Sequence, residues 1–292
     1  MTAGQAAHSL RARLRHHITA PAGSRSEFPL SCPAVLVPAV VLGFWPVWRW
    51  YAVRMTDGSD DPLGLIALLT AVWFLPRCGW REILPRRALL VVAAVLAAHV
   101  IGFAYAPPLV RGGLAVAALA CVLPRDPTRS PLPRFALLLL SLPVIASLQF
   151  YLGFPLRAAT AWCAAQLLGA GGYVVSAHGT VLAWAGEEVL VDAPCSGIRM
   201  LWTASYLSAT LATFHRLPNL RVAQLAQLTA ATVFLANLAR TIMLFFLETG
   251  LWMNPPWAHE AAGLALFLVA AGTCAAAARW LQGNTRSRQE VA

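Results

Sequence analysis

Lysine is missing from this sequence, and all 22 basic residues are arginine. Charge of either sign is scarce: 12% of the 292 residues are charged, against roughly a quarter in a soluble domain. That shortage excludes a soluble globule of this length, which would need far more polar surface. No CxxC pair and no zinc-finger spacing of Cys and His occurs, so no metal or other cofactor is expected. No internal repeat, low-complexity tract or second soluble domain is visible, and the inverted repeat of many transporters is missing. The first apolar run begins too late for an ordinary cleaved signal peptide.

What is present is apolar, at 59% hydrophobic residues. The net charge of +10 would suit a nucleic-acid binder. The arginines instead cluster between long apolar runs, where they orient a chain in a bilayer, so the expected partner is lipid and not nucleic acid. Runs at 32–52, 62–76, 88–105, 109–123, 134–153, 195–214, 221–249 and 258–280 are read as membrane spans. The fold class expected is an all-α polytopic membrane protein with about eight transmembrane helices.

The stretch 156–173 is also apolar but carries Arg157, Gln166 and several glycines. Five segments are Arg-rich: the N-terminal tail, 77–87, 124–134, 215–221 and the C-terminal tail. All five fall on one side only if 156–173 does not cross, so it is expected to be an interfacial or re-entrant helix. Both termini are then cytoplasmic, and 154–194 lies outside. Residues 174–192 alternate β-prone side chains around an Ala185-Gly186 turn, which predicts a small extracytoplasmic β-hairpin.

Three features of the last hundred residues carry chemistry. Six cysteines occur (Cys32, Cys78, Cys121, Cys163, Cys195 and Cys274), and five read as small hydrophobes in apolar stretches. Cys195 stands where the hairpin becomes a helix, with Asp192 as a cap and Pro194 suited to a first turn. Unpaired N–H groups and the dipole there favour thiolate, with Arg199 one turn on; the alternative is an inert helix-end cysteine. Arg240 sits deep in an apolar run with Asn237 on the same face. An intramembrane arginine usually serves function, though one paired with Glu248 or with carbonyls would be structural. His259, beside Glu260, opens the last run, and alone it is an ordinary interfacial histidine. At one membrane depth the three suit acyl transfer.

Ala193-Pro194-Cys195-Ser196-Gly197-Ile198-Arg199 resembles the Cys-Ser-Gly box of exosortases and archaeosortases. Asn237-x-x-Arg240 resembles their Asn-x-x-Arg box, and His259 with Gly263 their His box, in the same order over residues 134–280. The resemblance implies a membrane cysteine protease/transpeptidase, with Cys195 as nucleophile, Arg240 on the oxyanion and His259 as base or acid. Ser196, Gly197, Arg199 and Asn237 would support them. It also implies protein substrates with a C-terminal sorting signal of PEP-CTERM type: a short motif, a transmembrane helix and a basic tail. The new C-terminus would pass to an unknown acceptor nucleophile. The expected organisation is a basic cytoplasmic tail (1–31), one membrane-embedded exosortase-like domain (32–281) and a cytoplasmic tail (282–292). The expected location is a bacterial inner membrane, with the site facing outward. A transporter or channel using Arg240 and His259, or a non-catalytic assembly factor, remain alternatives that predict tolerance of Cys195→Ala.

Overall fold

The structure, a computed structural model, describes residues 30–56, 62–127, 129–191 and 196–290, with side chains described as far as Gly283. The expectations for the N-terminal tail up to residue 29 and for Asp192, Pro194 and Cys195 lie outside these residues.

Ten helices and one small sheet form among the described residues. They are α1 (Pro33–Gly43), α2 (Trp45–Thr56), α3 (Leu63–Trp73), α4 (Arg86–Ile101), α5 (Pro108–Val122), α6 (Leu132–Leu140) and α7 (Ile145–Ala170). Strands β1 (Ser176–His178), β2 (Val181–Trp184) and β3 (Glu187–Leu190) follow, then α8 (Ile198–Phe214), α9 (Asn219–Glu248) and α10 (Ala258–Glu290).

The first apolar run does not form one rod. Pro46 carries no N–H and suits a first turn, so α1 stops at Gly43 and α2 restarts at Trp45, bent by 69°. The same chemistry moves a boundary expected near Gly153. The chain turns instead at Ser141–Val144, around Pro143, and α6 meets α7 at 94°. Helix α7 then continues through Pro155 to Ala170, so 156–170 is the second half of a 26-residue helix and not a separate interfacial one. An internal proline is tolerated in membrane helices, where neighbours re-satisfy the freed carbonyl. Helices α9, of 30 residues, and α10, over 26 residues to Gly283, are each long and apolar enough to cross a bilayer, and each bent pair passes the same test together. That makes two to four spans by length and composition. Helix α3, with 11 residues, rises only about 17 Å against a core of about 30 Å.

The expected hairpin is a three-stranded antiparallel sheet in the order β1-β2-β3. Ser176 pairs with Ala183, and Trp184 with Glu187. The turn between β2 and β3 has Ala185 at φ 52° and Gly186 at φ 88°, the doubly positive geometry that matches strand twist in a two-residue hairpin. The sheet buries Leu182, Val189 and Val191 against Ala161, Ala165 and Leu168 of α7 and Leu238 and Phe245 of α9. Tyr173 and Trp184 extend this cluster edge-on to Phe245. The sheet therefore caps the ends of α7 and α9.

Below it, α8, α9 and α10 pack together through small residues, as membrane helices do. One polar knot joins all three. Ser208 and Thr229 share a hydrogen bond of 2.7 Å, and the Cys274 thiol lies 3.7 Å from the Thr229 hydroxyl.

Candidate active site

Two short segments of chain bracket residues 192–195. On the strand side, the Val191 N–H donates to the Thr180 carbonyl at 2.8 Å. Arg157 of α7 donates to Gly153 O at 3.2 Å and reaches Val191 O at 3.5 Å. On the helix side, Ser196 is buried and its hydroxyl donates to Gln149 Oε1 at 2.8 Å. The Ile198 N–H turns back to the same hydroxyl at 3.4 Å, a local turn leading into α8. Gln149, Gly153 and Arg157 recur every four residues, so one face of α7 holds both ends of the segment that contains Cys195.

Gly197 caps α8 with φ 72°, a left-handed conformation that costs a side chain about 1–2 kcal/mol. Space gives a second reason for glycine. A Cβ there would stand 3.1 Å from Asn237 Cγ and 3.4 Å from its Oδ1. Asn237 is itself 3% exposed, and its carbonyl accepts from the Thr241 hydroxyl at 3.1 Å. Asn237 thus fills the notch that Gly197 leaves.

Arg240, one turn further along α9, is half-buried and lies flat against Gly263 of α10. Its Cζ and Nε are 3.5 Å from the position of a Cβ on that glycine. His259 is four residues before Gly263, on the same face of α10. Its Nε2 faces Glu248 Oε1 at 3.8 Å, with the two side chains 40% and 37% exposed. At that exposure the pair adds little stability. Its consequence is orientation: Glu248, first considered as a partner for Arg240, faces the imidazole.

The structure thus brings Ser196 and Gly197 to Asn237, and Arg240 to the helix that carries His259. Arg199 is exposed, while Ser196, Gly197 and Ile198 are buried. Cys195 immediately precedes Ser196 but lies outside the described residues. Among the described residues no three His, Cys, Asp or Glu side chains gather as a metal site requires. Sequence reasoning passed over Gln149, although an amide inside the apolar run Leu148-Gln149-Phe150 is itself a signal.

A polytopic helical membrane protein in which a buried Ser-Gly/Asn contact adjoins a half-buried Arg on the helix that carries Asn, packed against the His-bearing helix, is the class that fold and site define. The chain belongs to the transmembrane exosortase family (Exosortase_EpsH), whose profile matches residues 32–276. This membership supports a membrane transpeptidase or protein-sorting role in general terms. No curated protein and no solved structure matches the chain.

Proposed function

We propose that this chain is a cysteine transpeptidase of a bacterial inner membrane that acts on C-terminal sorting signals of exported proteins. The observation that carries the reading is the contact of Arg240 with Gly263, one turn from His259, beside the packing of Asn237 on Gly197. It draws the Asn-x-x-Arg box to the Cys-Ser-Gly box on one side and to the His box on the other.

In the proposed reaction the Cys195 sulfur, as thiolate, attacks the carbonyl carbon of a scissile amide. The C=O pair moves onto oxygen, and the guanidinium of Arg240 neutralises it. Collapse breaks the C–N bond; His259 supplies the proton that the leaving amine takes away, leaving a thioester. An acceptor nucleophile, with water as the hydrolytic case, then attacks the thioester. It yields its proton to His259 as the C–S bond breaks, and the sulfur leaves as the starting thiolate. Asn237 positions the start of α8, and Glu248 orients His259.

The proposed topology has eight crossings, with α1 and α2 as one bent span and α6 and α7 as another. Both termini are cytoplasmic, and the sheet and the start of α8 face outward. Short spans such as α3 are accommodated by local thinning of the bilayer. The single domain is proposed to cover 32–281.

The test is Cys195→Ala and Cys195→Ser. A tagged substrate ending in a short motif, one span and an Arg-rich tail is followed for shortening, with membrane abundance of the enzyme measured in parallel. Normal abundance and no shortening is expected. Shortening at the wild-type rate overturns the reading in favour of a transporter or an assembly factor.

A further inference from the structure

At the far end of α8 from Ser196, three separate loops close around a cleft of about 850 Å³. Helix α8 has 17 residues, so about 25 Å separates the cleft from the candidate active site. Arg77, Arg125, Arg129 and Arg216 line it, against only two carboxylates, Glu82 and Asp126. Asp126 pairs with Arg129 at 3.1 Å. Among the described residues Arg77, Arg125 and Arg216 form no ion pair. The cleft is therefore a cationic cavity with charge to spare.

Arg216 occupies an unusual position. Helix α8 ends with Leu217 N–H on Ala212 O at 3.0 Å and Arg216 N–H on Thr213 O at 3.3 Å. This double closure places one residue in the left-handed region, where glycine is the usual choice. Here it is Arg216, at φ 54°. The chain accepts backbone strain and gains a guanidinium in the cleft wall.

The rim has a different character. Trp73 is 83% exposed and Phe214 69% exposed, both lining the cleft. Aromatic side chains in that position mark the boundary between headgroups and acyl chains. Cationic depth with an aromatic, lipid-facing rim fits an amphiphile that has an anionic head.

We propose that this cleft is a binding site for the phosphate headgroup of an anionic glycerophospholipid. The phosphate is held by Arg77, Arg125 and Arg216, with the acyl chains leaving past Trp73 and Phe214. The site is independent of the chemistry proposed above and requires only that the chain be in a membrane.

The test uses the full chain in a nonionic detergent, with thermal unfolding followed as phosphatidylglycerol, phosphatidylcholine or soluble glycerol phosphate is added. Phosphatidylglycerol is expected to raise the midpoint, and the other two are expected to leave it unchanged. Arg216→Gly is the informative variant, because glycine suits the left-handed backbone and the helix end should survive. Losing one guanidinium should weaken phosphatidylglycerol binding about 5-fold, the equivalent of ~1 kcal/mol per basic residue near a lipid surface. Arg77→Gln with Arg125→Gln should weaken it further. Arg87→Gln, in the first turn of α4 and outside the cleft lining, should bind as wild type. Equal responses to phosphatidylglycerol and phosphatidylcholine overturn the proposal. So does a full response in Arg216→Gly, or a loss in Arg87→Gln matching that of the cleft variants, which would indicate general surface charge. A shift with glycerol phosphate equal to that with the lipid replaces the lipid by a free anion.

Discussion

Asn237 of α9 packs into the place where Gly197, the cap of α8, has no side chain, with its Cγ 3.1 Å from the missing Cβ. Two costs therefore attach to Gly197→Ala. The left-handed backbone at φ 72° penalises a Cβ by about 1–2 kcal/mol, and Asn237 must retreat by a few tenths of an ångström. The expected result is a lower thermal midpoint and slower processing. Asn237→Ala combined with Gly197→Ala should recover some stability but not processing. A Gly197→Ala protein with wild-type midpoint would mean that the contact is loose.

Arg240→Lys keeps the charge but loses the planar fork that lies against Gly263. If the guanidinium receives the oxyanion, turnover should fall ~10²–10³-fold while membrane abundance stays normal. Near-normal processing in Arg240→Ala would remove Arg240 from the reaction. Quantitative blotting alongside substrate shortening separates the two outcomes.

Gln149→Leu strips the acceptor from the buried Ser196 hydroxyl, which donates to it at 2.8 Å. An unsatisfied buried hydroxyl costs about 1–3 kcal/mol. Adding Ser196→Ala should return much of that loss, since the donor then disappears as well. A double-mutant cycle on thermal midpoints reads the coupling, and strict additivity would show that the hydrogen bond carries none.

Gly64 of α3 approaches the carbonyl of Ser141 so closely that an added Cβ would overlap the oxygen. Both elements must shift to admit Gly64→Ala, at a cost of about 1–3 kcal/mol. The prediction is a clear drop in midpoint in detergent; an unchanged midpoint would disprove the α3–α6 packing.

Reporter fusions after Arg129 and after Glu187 should give opposite signals. Arg129 lines the cleft where three Arg-rich loops converge, whereas Glu187 opens β3, beyond the bent span. The same signal at both sites rules out eight crossings.

The long helices α9 and α10 were legible in the sequence because their apolar runs contain nothing that breaks a helix. The Ala185-Gly186 turn was legible through Gly186, which accepts a positive φ without cost; that Ala185 also adopts one, at φ 52°, was not. The corner at Pro143 was not. Hydropathy runs through Leu142 and Val144 without a dip, and two prolines, at 143 and 155, compete as breaking points. What decides between them is tertiary: Ser141 and Leu140 find partners on other helices, while Pro155 is carried within α7. Strand β1 was half-legible, its β-prone residues preceding a Gly179 turn that makes a third strand out of a hairpin. Asn237 and Arg240 stood out as polar residues in apolar surroundings. Glu248, considered in the sequence as a partner for Arg240, was seen as a neighbour of His259 only once the fold set the two helix ends side by side.

The corner between α6 and α7 also has a meaning for how the protein is made. An insertion machinery that reads apolarity meets 132–153 as one continuous segment on its way out of the ribosome. The folded corner relies on groups outside that segment: the Trp202 indole N–H of α8 donates to Leu140 O at 3.2 Å, and Gly64 of α3 admits the Ser141 carbonyl. Helix α3 is synthesised before the corner, but α8 only some sixty residues later, counting from Leu140 to Trp202. The bend therefore gains its last partner only once some sixty further residues have been made. The contacts that complete the corner, Trp202 on Leu140 O and Ser196 on Gln149, both come from α8 and the residues leading into it.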